Sequence, residues 1–119
     1  MLQKEPWILA PGKNIARSLV EDAFRAQGLT PPRPLVTTFS MQLRMQLLAN
    51  GQHLTVFTDT TVRYSAERWS LKVLPIDLGR RLRVVAVTLK HRTLTPAAQV
   101  FLESVRAVTR SLGSPAVLA

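Results

Sequence analysis

Residues 35–60, LVTTFSMQLRMQLLANGQHLTVFTDT, decide the fold class of this chain. Leu35, Val36, Thr37 and Thr38 form a β-rich run, Phe39 and Ser40 a turn, and Met41 opens a run that reaches Ala49. The period of that run is ambiguous: Met41, Leu43, Met45 and Leu47 alternate, while Met41, Met45 and Leu48 follow helical spacing. Its length, its flanks and its lack of β-branched residues favour helix. Ser40 suits the N-cap, where its hydroxyl accepts a free N–H of the first turn. Gly51, after Asn50, takes the left-handed conformation that ends a helix without steric cost. Leu54, Thr55, Val56 and Phe57 then make a second β-rich run. Strand, helix and strand in this order predict a right-handed βαβ crossover. In such sheets the ligand crevice lies beyond the carboxyl ends of the strands, here residues 37–40 and 58–60.

On the N-terminal side, Trp7-Ile8-Leu9-Ala10 is short and apolar and is stopped by Pro11-Gly12, which reads as a buried first strand. Asn14 is placed to cap a helix reaching Gln27, with Gly28 as its stop. Ala16, Leu19, Val20, Ala23 and Phe24 form its apolar stripe, and Arg17, Glu21, Asp22 and Arg25 face outward. Pro34 can begin a strand but not sit inside a central one, so the strand at 34–38 belongs at a sheet edge. On the C-terminal side, Thr58 or Asp59 caps a helix to about residue 69. Residues 71–76 read as a short strand. Residues 81–89, with Leu82, Val84 and Ala86, show the clearest alternation in the chain and predict another strand. Thr95-Pro96 starts a last helix, with Thr95 as cap and Pro96 at the first helical position. Its expected buried stripe is Ala97, Ala98, Phe101, Val105, Val108 and Leu112, and the tail from Gly113 has no period. The succession β-α-β-α-β-α-β-β-α predicts an α/β fold: a mixed, mostly parallel sheet in a three-layer α/β/α sandwich.

A chain of 119 residues with 46% apolar content is expected to form a single domain over residues 1–119. No cysteine is present, which removes disulfides, thiolate metal sites and cysteine nucleophiles together. No apolar run approaches the roughly 20 residues of a membrane span, and the first residues lack a signal-peptide core, so a cytoplasmic setting is expected. Sixteen Lys and Arg against 7 acids give a net charge of +9, which favours polyanions or a small acidic ligand. The basic residues are scattered apart from Arg80, Arg81 and Arg83, extended by Lys90 and Arg92. No basic stretch is interleaved with aromatics, so a solvated face is favoured over a phosphate track.

His53 and His91 have no second histidine or carboxylate at metal-ligand spacing, and no metal or cofactor is expected. No G-x-S-x-G elbow and no phosphate loop occur, and none of the 7 acids pairs as general acid and base. A non-enzyme is therefore expected. The crevice is lined instead by the hydroxyls of Thr37, Thr38, Ser40, Thr58 and Thr60 and by N–H donors at the helix starts near Ser40 and Thr58. Taken singly these residues are caps; together at one end of a sheet they suit a small anion or polar metabolite. Met41 and Met45 are most simply core filler.

Three segments resemble the LysR-type transcriptional regulators. Pro6-Trp7-Ile8-Leu9, an amphipathic helix and Gly28-Leu29-Thr30-Pro31 resemble the start of the second lobe of that family's effector-binding domain. The 37–57 block is similar to its strand, helix, A-x-G-x-G-I-x-x-x-P passage, and Arg92-Thr93-Leu94-Thr95-Pro96-Ala97-Ala98-Gln99-Val100-Phe101-Leu102 to its closing L-S-P-A-A-x-x-F helix. His53 stands where the family usually has a second glycine, and Thr58 where it has proline.

The resemblance implies a periplasmic-binding-protein-like lobe. Residues 5–80 would be the second lobe, 81–112 a returning strand and final helix of the first, and 113–119 a tail. It implies a small-molecule effector held by Thr37, Thr38, Phe39, Ser40 and Thr58, and DNA bound only through a helix-turn-helix outside this chain. It further implies a dimer or higher homo-oligomer, with the helix at 14–27 and the strand at 34–38 at a side-by-side contact. The apolar stripe of the last helix should fold back on the lobe or pair with another copy. Two rivals remain at this point. A stand-alone basic nucleic-acid-binding domain rests on the charge of +9, and an acyl- or phosphoryl-transfer enzyme rests only on exposed hydroxyls.

Overall fold

The computed structural model describes residues 2–111, and at Ser65 and Ala66 the backbone alone. A 3-10 turn, Leu2–Lys4, leads into β1 (Trp7–Leu9), α1 (Ile15–Ala26), β2 (Pro34–Thr37), α2 (Met41–Ala49), α3 (Asp59–Trp69) and α4 (Pro96–Ser111). The chain divides into two compact units, one ending at Arg81 and one beginning at Leu82.

In the first unit β1 is central. It runs parallel to β2, with Ile8 opposite Val36 and Leu9 opposite Thr37. On its other side Trp7 bridges Leu54, again parallel; the Ile8 amide donates to the Leu54 carbonyl at 2.8 Å and the Leu54 amide to the Pro6 carbonyl at 3.0 Å. The helix α2 therefore connects two segments that flank β1 rather than each other. As Pro34 required, β2 is an edge strand, with Leu35 exposed and Val36 half-buried.

The core forms where three apolar patterns meet. Ile8, Leu9 and Val20 are fully buried. Trp7, Leu9 and Val20 cluster with Phe24 of α1 and with Leu2, Leu54, Val56 and Leu78. Trp7 meets Phe24 edge-on, centroids 6.1 Å apart and planes at 81°, and its indole N–H donates to the Leu2 carbonyl at 2.8 Å. That bond satisfies the polar end of an otherwise buried ring.

Local signals account for the helices. The Asn14 side chain accepts the Ala16 amide at 2.9 Å, and Ser40 Oγ accepts the Leu43 amide at 3.2 Å. At the end of α2 Gly51 has φ +75°, and its amide donates to the Leu48 carbonyl at 2.8 Å. The polar face of α1 carries ion pairs: Arg17–Glu21 at 2.7 Å, Arg25–Glu21 at 3.2 Å and Arg25–Asp22 at 3.1 Å. Arg80, the first of the basic cluster, pairs with Asp22 at 3.1 Å.

The expected sheet is larger than the one formed. Among the described residues, 71–76 and 81–89 are not strands, and 54–57 joins the sheet only through the Leu54 bridge. A strand needs a neighbour to take its N–H and C=O groups. Alternation shows that a segment suits a sheet, not that a partner is at hand. Two parallel strands and one bridge thus stand where a fuller mixed sheet in three layers was expected.

In the second unit a run without regular secondary structure precedes a turn at Lys90-His91, where His91 has φ +66°. Thr95 Oγ1 then accepts the Ala98 amide at 3.3 Å and starts α4. The stripe of α4 was expected to be buried and is not. Phe101 is 65% exposed, Val108 is exposed, and Ala98 and Val105 are half-buried. Leu112 and the tail lie outside the described residues. Val84 and Val87, before that turn, are 90% and 82% exposed.

Candidate functional site

The segment leaving β2 turns into α2 through its own side chains. Thr37 holds the last rung opposite Leu9. The Thr38 amide donates to the Leu9 carbonyl at 3.1 Å, and Thr38 Oγ1 accepts the Ser40 amide at 3.0 Å. Ser40 Oγ caps the Leu43 amide, and Phe39 between them turns its ring to solvent. A second hydroxyl group lies where α3 begins. Thr58 Oγ1 sits 3.0 Å from Thr60 Oγ1 and 2.9 Å from Thr61 Oγ1, and accepts the Thr61 amide at 3.3 Å. Asp59 pairs with Arg63 at 2.8 Å, one helical turn on.

Because β1, β2 and the Leu54 segment are parallel, both hydroxyl groups follow the carboxyl ends of their segments. β1 lies between β2 and the Leu54 segment, so the two hydroxyl groups leave the sheet on opposite sides of β1. Thr37, Thr38 and Ser40 form one continuous lip, and Thr58 belongs to the other. Among the described residues no hydrogen bond links the lips.

The hydroxyls of Thr38 and Ser40 use a lone pair each on a backbone amide. A hydroxyl that accepts through one lone pair still has its proton to donate. Hydroxyls held this way keep protons to donate, and donors suit a ligand rich in oxygen acceptors.

Arg44 is the residue that sequence reasoning missed. Nη2 donates to Thr55 Oγ1 at 2.7 Å and to the Val56 carbonyl at 2.6 Å, and Cζ lies 4.3 Å from the centroid of the Phe57 ring. Nε is buried without a hydrogen-bond partner. Partial burial pulls the guanidinium pKa below its ordinary range, but an arginine remains cationic at neutral pH. One signal for it existed: a lone charge between Leu43 and Met45 on a helix otherwise of apolar and amide side chains. His53, the other unusual residue here, is half-buried with Nδ1 3.1 Å from the Leu47 carbonyl at the end of α2. Among the described residues no three His, Cys, Asp or Glu side chains gather as a metal site, and no helix is long and apolar enough to cross a membrane.

Residues 1–110 match the family model of the LysR substrate binding domain. The chain belongs to that family. It is similar to the HTH-type transcriptional regulator GbpR of Azospirillum brasilense, 30% identical over 104 residues that cover 87% of this chain and 30% of that protein. Against the HTH-type transcriptional regulator GalR of Pseudomonas putida it is 27% identical over 103 residues, 86% of this chain and 26% of that protein. The chain thus spans less than a third of the length of these curated relatives. No solved structure matches it. Membership in the LysR substrate-binding family implies a periplasmic-binding-protein-like α/β fold. The parallel pair flanked by helices is the part of that fold formed here. A stand-alone nucleic-acid-binding domain finds no support in these relatives.

Proposed function

We propose that this chain is the effector-sensing and oligomerisation portion of a LysR-type transcriptional regulator. It binds a small polar or anionic metabolite, catalyses no reaction, and controls DNA binding by a helix-turn-helix outside its own residues. The match of residues 1–110 to the substrate-binding family carries this reading. Thr37, Thr38, Phe39, Ser40 and Thr58 are the ligand contacts, with hydroxyl protons and helix-start amides meeting the ligand's oxygens. Residues 5–80 act as the second lobe, and 81–112 supply a returning strand and final helix to the first. On this assignment Val84, Val87 and Phe101 are covered by chain outside the present residues. The helix α1 and the edge strand β2 form a homodimer contact, and the setting is cytoplasmic.

The test is a thermal-shift screen of small carboxylates, sugars and sugar acids against the full regulator that contains this chain. At least one compound should raise the melting temperature. S40A and T58V should each weaken that compound, by about 0.5–1.5 kcal/mol for a lost hydrogen bond. Compounds that bind equally well to both variants would remove these residues from the site.

A further inference from the structure

The guanidinium of Arg44 touches three consecutive residues on the way to Thr58: the Thr55 hydroxyl, the Val56 carbonyl and the Phe57 ring. Thr55 Oγ1 donates in turn to the Ile8 carbonyl at 2.7 Å. A parallel ladder continued from the Trp7–Leu54 bridge would give that carbonyl the amide of Val56 instead. The sheet therefore stops one rung early, and side chains fasten the 55–57 segment where backbone bonds would otherwise do so.

We propose that Arg44, acting through Thr55 and Phe57, is a positioning residue that sets where Thr58 stands at the crevice. The proposal rests on the reading of Thr58 as a ligand contact. Charge-assisted hydrogen bonds are roughly twice as strong as neutral ones, and a guanidinium over an aromatic face adds attraction. Nε has no acceptor, so Nη2 and the ring contact orient the plane. A lysine is a poor replacement: its ammonium ends one bond short of Nη2, which makes both hydrogen bonds, and it has no planar group to lay over the Phe57 ring.

Amide hydrogen exchange on the full chain, with no ligand added, tests the tie. The amides of Leu54, Thr61 and Val62 are hydrogen-bonded beside it, to the Pro6 carbonyl, Thr58 Oγ1 and the Thr58 carbonyl. The Thr38 amide, bonded to Leu9 on the opposite side of β1, is the internal control. In R44K and in T55V, exchange at Leu54, Thr61 and Val62 should rise about tenfold or more while Thr38 stays as in the parent. T55S, which keeps the hydroxyl, should behave as the parent. Three results would overturn the proposal: R44K matching the parent, Thr38 accelerating in step with the other amides, or failure of both R44K and T55V to fold. Since no ligand enters this measurement, its failure is distinct from failure of the effector screen.

Discussion

At Glu21 three side chains meet on the polar face of α1. The hydrogen bond from Arg17, helped by Arg25 and opposed by partial burial, holds its carboxyl below the ordinary 4.5. A carboxyl depressed on folding contributes stability above its unfolded pKa and loses it as pH falls through the folded value. Denaturant midpoints of the parent should therefore drop below pH 4.5, and E21Q should flatten that limb of the profile. An unchanged acid limb in E21Q would show that Glu21 does not carry it. Such i, i+4 pairs were legible because helical spacing alone brings them together. The Arg44 contacts were not. Thr55, Val56 and Phe57 lie 11 to 13 residues away, and only the return of the chain after Gly51 carries them under the guanidinium.

Helix ends are the elements that sequence located best. Asn14, Ser40, Thr58 and Thr95 each accept an amide of the first turn they precede. Capping is decided within four residues, so tertiary context has little to override. Gly51 is a direct test of this local control. Its φ is +75°, and a Cβ added there would meet nothing within 4 Å. G51A should lower stability by about 1–2 kcal/mol, the cost of a left-handed residue bearing a Cβ, read as a shift in denaturant midpoint with an unchanged slope. A neutral effect would mean that the turn after α2 relaxes into another conformation. The strands were less legible. Trp7–Leu9 and Pro34–Thr37 formed as expected. Residues 71–76 also read as a strand, and 81–89 alternate more clearly than any other segment, but neither has a paired neighbour among the described residues. Pairing is a property of two segments, and one segment's pattern reports on only one of them.

Across the whole molecule the net charge of +9 posed the main functional choice. Arg80 is engaged by Asp22, and Arg17, Arg25 and Arg63 are each paired along their own helices. These pairings do not alter the net charge, which already counts the acids; what argues against a phosphate track is that the basic residues outside the 80–92 cluster are scattered along the chain and no basic stretch is interleaved with aromatics. The chain on its own should therefore show little affinity for duplex DNA and no steep dependence on salt. A protein neutralising several phosphates would lose about 10³–10⁵ in affinity between 50 and 200 mM salt, and a titration in that range separates the two outcomes. The candidate crevice was partly legible at this scale. The hydroxyl positions came from the carboxyl-end rule, but not that β1 would lie between Thr38 and Thr58. Sequence by itself determined the helices with their caps, the buried first strand, the edge position of Pro34 and the family motifs, because each depends on neighbours within a few residues or on the order of short segments along the chain. Only the tertiary structure decided which alternating segments become strands, that β1 lies between the two lips, and which cation fastens the third segment. Those outcomes depend on distant parts of the chain meeting, and no local pattern encodes the meeting.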